Sequence, residues 1–286
     1  MTIQQSTLSS VYGPVPSWRF GSSLGIDPIG AVSSCSFNCV YCQLGEIQSH
    51  TAQRQLFVPT EQIVADLQAF EPWDVDVVTV SGSGEPTLAL NLGEILVAVK
   101  DITERPAVVL TNSTMLGESE VMQALSLADS VAVKLDALSS EQLHRVNRPV
   151  SGIDWSIIWT GLKQFRLQYE GHLAIQTMIL SPWSDEMQAS YIRLMQQLKP
   201  DEIQLNTPTR PRPVTRQLET RGARGLSRPY PVQVLKQVSR NVLNSFAQRI
   251  QEVTRIPVKC VPLTAKLPKI STPRETGDSR QLYLEP

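Results

Sequence analysis

Apolar and polar positions along this chain fall into two alternating periods. From Thr60, EQIVADLQAF spaces Ile63, Leu67 and Phe70 at helical intervals, with Thr60 placed to cap the start. VDVVTVSGSGEP follows at 75–86, a β-branched run that stops at glycines and predicts a buried strand. The two patterns then repeat: helix-like LNLGEILVAVKDI, strand-like AVVLTNS, helix-like ESEVMQALSLA, strand-like SVAVKLDA. Helical spacing returns over 139–147 and 154–169, after which LAIQTMIL reads as strand, DEMQASYIRLMQQL as helix and EIQLNTP as a last strand. With the extended stretch LGIDPIGAV at 24–32, the pattern holds six strands separated by helices.

Such alternation requires parallel strands joined by right-handed crossovers. An open doubly wound sheet and a barrel, complete or partial, both satisfy it, and periodicity alone does not choose between them. In either architecture ligands bind beyond the C-terminal ends of the strands. Those ends carry CSFNC, SGSGEP, TNST, KLDA, IQT and NTPTRP, so polar side chains should converge there. Residues 1–24, with Pro14 and Pro16, read as an irregular N-terminal lead-in, and 25–207 as the strand–helix core. Residues 208–267 read as an arginine-rich loop and a helical extension, with a helix from about 231 to 250, and 268–286 as a loosely held tail.

Composition narrows the function classes. The 286 residues are 41% hydrophobic and 19% charged, the balance of a globular chain long enough for a large core. Net charge is −1, which excludes a global basic field for holding nucleic acid and leaves only a local one. Residues 208–229 supply that concentration: six arginines, no lysine and one acid, Glu219. Arginine's planar fork pairs with phosphates, so an RNA substrate is one expectation for this segment and a solvated loop the other. No apolar run approaches the roughly 18 residues that span a bilayer, and MTIQQSTLSS lacks the pattern of a signal peptide. The expectation is a cytoplasmic protein with no membrane partner.

Three of the four cysteines lie in CSFNCVYCQ, at Cys35, Cys39 and Cys42, while Cys260 stands apart as a small apolar residue. Thiolates suit zinc or iron–sulfur clusters, and this loop can wrap three sulfurs around one site. Structural zinc wants four ligands, usually as two separated pairs, and no second pair exists here; His50 could complete a zinc set. A four-iron four-sulfur (4Fe-4S) cluster on three cysteines would keep one iron open to a small molecule.

This CxxxCxYC loop after a first strand, with SGSGEP at the end of a second, resembles the radical S-adenosylmethionine (radical SAM) superfamily. The resemblance implies an α/β partial (β/α)6 TIM-like barrel. It also implies that Cys35, Cys39 and Cys42 ligate one 4Fe-4S cluster whose open iron is chelated by S-adenosylmethionine. Reductive cleavage would then give methionine and a 5′-deoxyadenosyl radical, with a flavodoxin or ferredoxin as electron donor. Tyr41 would sit beside the adenine or support the loop, and Gly82 and Gly84 would offer backbone contacts more than Glu85 its side chain. Asn112, Gln176 and Lys134, with Asp136, could bind the methionine carboxylate or ribose, or else act as local caps. His144 and His172 have no placed partner and carry little weight.

VYGPVPSWRFGSSLGID, CSFNCVYCQLG, RVNRP and QLNTPTRP together resemble a subgroup related to the tRNA wyosine-base synthase. Two features depart from those enzymes: the first 34 residues hold no further cysteine for a second cluster, and Trp18 and Ser22 replace positions often basic in the subgroup. The competing expectation is a noncatalytic metal module, zinc-binding or an iron–sulfur electron carrier.

Overall fold

The computed structural model describes residues 9–217, 221 and 230–262. An antiparallel hairpin of β1 (Val11–Ser17) and β2 (Gly21–Ile26) comes first, then the two-residue strands β3 (Ser34–Cys35) and β4 (Ser49–His50). The repeat follows as α1 (Thr60–Gln68), β5 (Val77–Val80), α2 (Leu92–Thr103), β6 (Ala107–Thr111), α3 (Ser119–Leu125) and β7 (Ser130–Lys134). Two helices, α4 (Ser140–Val146) and α5 (Trp155–Gln168), lead to β8 (His172–Met178), α6 (Asp185–Leu198) and β9 (Glu202–Asn206). The short ribbon β10 (Arg212–Pro213) and β11 (Val232–Gln233) precedes α7 (Arg240–Thr254) and β12 (Val258–Cys260).

The main sheet runs β1-β2-β5-β6-β7-β8-β9-β12, parallel from β2 onward. This order decides between the two architectures. A doubly wound sheet reverses direction partway, placing helices on both faces. Here each new strand adds on the same side, so right-handed crossovers put the helices on one face and curl the sheet into a partial barrel.

Strand side chains alternate between faces, and the apolar half points at the helices. Leu24, Val78, Val133, Ile175 and Ile203 join Leu96, Phe165, Met195 and Ile250 of the helices in one buried cluster. Each such side chain contributes about 1.5–3 kcal/mol on burial. Helix starts are set locally: Asp154 accepts from the amides of Ser156 and Ile157, and Ser184 and Ser239 cap α6 and α7.

Three expectations are corrected. Residues 11–24 are not an irregular lead-in but β1 and most of β2, whose backbone groups pair across the hairpin. The cap position of α1 is Pro59, and Thr60 is the first helical residue, its hydroxyl turned to Glu94 at 3.1 Å. The helix expected over 231–250 starts at Arg240, because Ser239 caps it and Val232–Gln233 pairs with β10. The tail expected at 268–286 lies outside the described residues. Among the described residues no helix is long and apolar enough to cross a membrane.

Candidate functional site

The cysteine loop leaves β2 and is clamped from two sides. On one side is the turn after β5, where the Glu85 amide donates to the Ser34 carbonyl at 3.0 Å. Gly84 packs so tightly there that a Cβ would lie 1.8 Å from that same oxygen, which explains why only glycine fits. On the other side is the segment RVNRP. Amides of Asn38 and Val40 donate to the carbonyls of Asn147 and Val146, both at 3.0 Å, and Val150 donates to Ser36 at 2.9 Å. Phe37, Cys39 and Tyr41 then bury against Ala137, Leu143, Val146 and Ile158.

All three loop cysteines are free thiols, mutually within electrostatic reach. Their sulfurs face N–H donors: Phe37 amide to Cys35 Sγ at 3.4 Å, Asn112 Nδ2 to Cys35 Sγ at 3.5 Å, Asn147 Nδ2 to Cys39 Sγ at 3.4 Å. Burial raises all three thiols, Cys39 to about 11, and Glu85 adds to the rise at Cys35. Metal binding would displace those protons. Among the described residues no group of three or more His, Cys, Asp or Glu gathers around a single metal ion. Three thiols with N–H donors to sulfur fit a cluster that takes one sulfur per iron, since such donors are what tune iron–sulfur centres. His50, the alternative zinc ligand, is exposed and its Nε2 lies 3.3 Å from the Ser36 carbonyl.

The expected ligand-binding residues divide by what they touch. Glu85 is buried and fully engaged: it accepts from the Thr87 amide at 3.1 Å, from the hydroxyls of Thr87 and Thr111 at 2.6 Å, and from the Asn112 amide at 2.6 Å. Burial raises its carboxyl, partly offset by those donors. It therefore ties the end of β5 to the end of β6. Asn112 donates to Ser36 Oγ at 2.9 Å and accepts from Thr114, bracing the loop. Gly82, at φ +145°, packs against Asp27, since a Cβ would sit 2.4 Å from Asp27 Cγ.

Tyr41 is buried with its hydroxyl on Asp136 Oδ2, and Lys134 Nζ donates to the same hydroxyl at 3.1 Å. Its side chain thus supports the loop. Burial and then Asp136 push the Tyr41 hydroxyl well up. Burial would lower Lys134, but Asp136 and the thiols of Cys39 and Cys42 outweigh it and hold the ammonium above its ordinary value. Asp136 also accepts from Asn147 Nδ2 and the Met178 amide, both at 2.8 Å.

On the face of the sheet away from the helices, Lys134, Gln176, Gln204 and Lys259 stand in register across β7, β8, β9 and β12. Gln176 donates to Gln204 at 2.9 Å, Gln204 to Glu202 at 2.7 Å, and Glu202 pairs with Lys259 at 2.7 Å. Lys134 and Gln176 were expected; Gln204, Glu202 and Lys259 were not singled out, although each alternates with apolar neighbours in its strand. His172 begins β8 and so lies at the opposite end from the cysteine loop, and His144 is exposed on α4. Cys260 is half-buried at the end of β12 with its Sγ 3.8 Å from the Leu243 carbonyl. A groove of about 540 Å³ along α7 and β12 includes Cys260 and none of the expected site residues.

One further group escaped the sequence reading. Asp27, fully buried, accepts from Ser83 Oγ at 2.6 Å, from the amides of Ile29 and Gly30, and from Arg221 at 2.5 Å. Through it the arginine-rich segment reaches back to the start of the barrel. That segment also meets the chain on both sides of the cysteine loop: Arg210 donates to Gln43, Arg216 to the Ala31 carbonyl, and the Gln217 amide to the Leu44 carbonyl. The clue was present in the two polar clusters, but nothing in their spacing joins them.

Comparison with known proteins agrees with this geometry. A profile of the Radical SAM superfamily matches residues 31–194. The chain is 51% identical over 261 residues to UPF0026 protein slr1464 of Synechocystis sp., covering 90% of this chain and 98% of that one. Among solved structures it resembles a radical SAM methyltransferase from Sphaerobacter thermophilus, with TM-score 0.53, 14% identity and coverage of 84% of this chain and 65% of that one. It also resembles native anSMEcpe with bound AdoMet, with TM-score 0.55, 15% identity and coverage of 84% and 63%. The chain thus spans just under two thirds of those structures' own length, and at such identity the likeness concerns the fold. Sequence match, strand order and a clamped three-cysteine loop together establish that the chain belongs to the radical SAM superfamily.

Proposed function

We propose that this protein is a radical SAM enzyme in which Cys35, Cys39 and Cys42 hold one 4Fe-4S cluster. The observation that carries the reading is the set of three free thiols, within electrostatic reach of one another, on a loop clamped at the mouth of the partial barrel. When bound, the cluster supplies the electron that cleaves S-adenosylmethionine to methionine and a 5′-deoxyadenosyl radical. Asn112, Asn147 and the Phe37 amide donate to the sulfurs and favour their charged form. The turn Gly82–Glu85 fixes the loop, with Glu85 holding the ends of β5 and β6 together. Tyr41, Asp136 and Lys134 form the wall beside Cys39, and Lys134 is the cation available to a carboxylate or ribose there. Gln176 and Gln204 give the concave face hydrogen-bonding capacity for a polar substrate.

A flavodoxin or ferredoxin is the electron donor in this reading. The shared segments support a place near the tRNA wyosine-base synthase, and with the arginine-rich segment they support RNA as substrate class. Anaerobic reconstitution with iron and sulfide, then dithionite and S-adenosylmethionine, tests the reaction. The expected product is 5′-deoxyadenosine, absent from a Cys35/Cys39/Cys42 triple alanine variant. A cluster whose reduced spectrum ignores S-adenosylmethionine, or a protein that binds zinc alone, would instead indicate a noncatalytic metal module.

A further inference from the structure

Arg19, Arg212 and Arg216 each carry buried guanidinium nitrogens that have no hydrogen-bond partner among the described residues. Arg19, in the turn between β1 and β2, stacks on Trp18 at 4.9 Å, and its Nε is buried without a partner. Arg212, held in the β10–β11 ribbon, has a buried Nε without a partner. Arg216 spends Nη1 on Ala31 and Gln48, leaving Nε and Nη2 buried and unpaired. Arg210 is bonded to Gln43.

These groups share one region. Arg19 lies within electrostatic reach of Arg210 and of Lys134, and Arg212 and Arg216 within reach of Cys42. Among the described residues none of Arg19, Arg212 and Arg216 has a carboxylate at ion-pair distance, in contrast with Arg221 on Asp27 and Arg54, Arg166 and Arg249 elsewhere. Burial and then Arg210 lower the Arg19 guanidinium to about 10, the mark of a cation short of an anion. Leaving several buried charged donors unsatisfied is costly, and a bound anion removes that cost. A guanidinium fork matches the oxygens of phosphate in shape and charge. Lys134, within electrostatic reach of Arg19, begins the polar row that runs to Lys259, suited to the hydrogen-bonding part of such a substrate.

We propose that Arg19, Arg212 and Arg216 form a phosphate subsite that anchors a phosphate-bearing substrate over the cysteine loop. This rests on the mouth of the barrel being the reaction site. The phosphate belongs to an RNA strand or to a free nucleotide, and the test separates these sources.

Cluster-reconstituted full-length protein is titrated calorimetrically, without S-adenosylmethionine, with pyrophosphate, adenosine 5′-monophosphate, adenosine and a short single-stranded RNA. Pyrophosphate should bind and adenosine should not. Arg19→Gln, Arg212→Gln and Arg216→Gln should each weaken binding about 10- to 100-fold, the loss of one charged hydrogen-bonding group. Arg19→Lys and Arg212→Lys, which keep charge but lose the fork, should fall between, and they carry the test if a glutamine variant does not fold. Arg249→Gln, an ion-paired arginine on α7, should leave binding unchanged. Tighter binding of the RNA, with affinity falling as salt rises, identifies a nucleic-acid strand; tighter binding of the mononucleotide identifies a free nucleotide. Absence of phosphate binding overturns the proposal, as does equal weakening by Arg249→Gln. It is equally overturned if the arginine variants shift the cluster's reduction potential while phosphate binding stays intact, since the arginines would then serve the cluster. Because no step requires 5′-deoxyadenosine, failure here is distinct from failure of the proposed reaction.

Discussion

Glu85 and Asn147 show how single side chains set the cysteine loop. Glu85 accepts four hydrogen bonds while buried, and burial raises its carboxyl above the ordinary value. A carboxyl with a raised folded-state pKa binds its proton more tightly when folded, so its contribution to stability is full below the unfolded pKa and is lost as pH rises through the folded one. Glu85→Gln removes that dependence and places an NH2 group against donors, at a cost of about 1–3 kcal/mol. Urea denaturation should therefore show the wild type ahead, by a margin that widens toward acid pH from neutrality. Asn147 donates to Cys39 Sγ and to Asp136. Asn147→Ala should lower the reduction potential of the reconstituted cluster, read by a spectroscopic redox titration, because an N–H donor to sulfur stabilises the reduced, more negative state.

At the scale of elements, the turn after β5 is the piece that the loop cannot do without. Its glycines allow close approach within the protein: Gly84 to Ser34, Gly82 to Asp27. Gly84→Ala should cost about 1–3 kcal/mol as overpacking and reduce the iron retained per chain after reconstitution. Gly117→Ala is the control, since a Cβ there meets nothing within 4 Å. If Gly84→Ala keeps full iron content and stability, the clamp is not what holds the loop. RVNRP plays the matching part from the far side, and its value lies in backbone carbonyls as much as in Asn147.

Across the whole molecule, the Asp27–Arg221 pair joins residues 194 positions apart and closes the arginine-rich segment onto the start of the barrel. Both side chains are nearly out of solvent, at 0% and 6% exposure. Asp27→Ala would strand the Arg221 charge, and breaking a buried pair from one side costs about 3–5 kcal/mol. The denaturation midpoint should fall accordingly. Hydrogen exchange at 210–217 should quicken even where the barrel strands stay protected, since Arg221 fastens the chain just beyond that segment to the core. Unchanged exchange there would show that the contacts at Gln43, Leu44 and Ala31 suffice.

The strand and helix order from β2 to β9, the polar strand ends and the three-cysteine loop were legible in the chain, because each depends on neighbours within a few residues, whereas β1 and β12 were not. Local period also decided which half of each strand meets the helices. It did not decide the sheet: only the strand order, with every crossover adding on the same side, turns the alternation into a partial barrel. Nor could it show that Lys134, Gln176, Gln204 and Lys259 stand level, since register is fixed between strands and not within them. Tyr41 with Asp136, Asn147 with Cys39, and Arg212 and Arg216 within electrostatic reach of Cys42 are likewise products of closure. Spacing along the chain places ligands on one loop; what surrounds that loop depends on contacts between segments far apart in sequence, from 76 positions for Asn112 and Ser36 to 168 for Arg216 and Gln48, which only the packed core brings together.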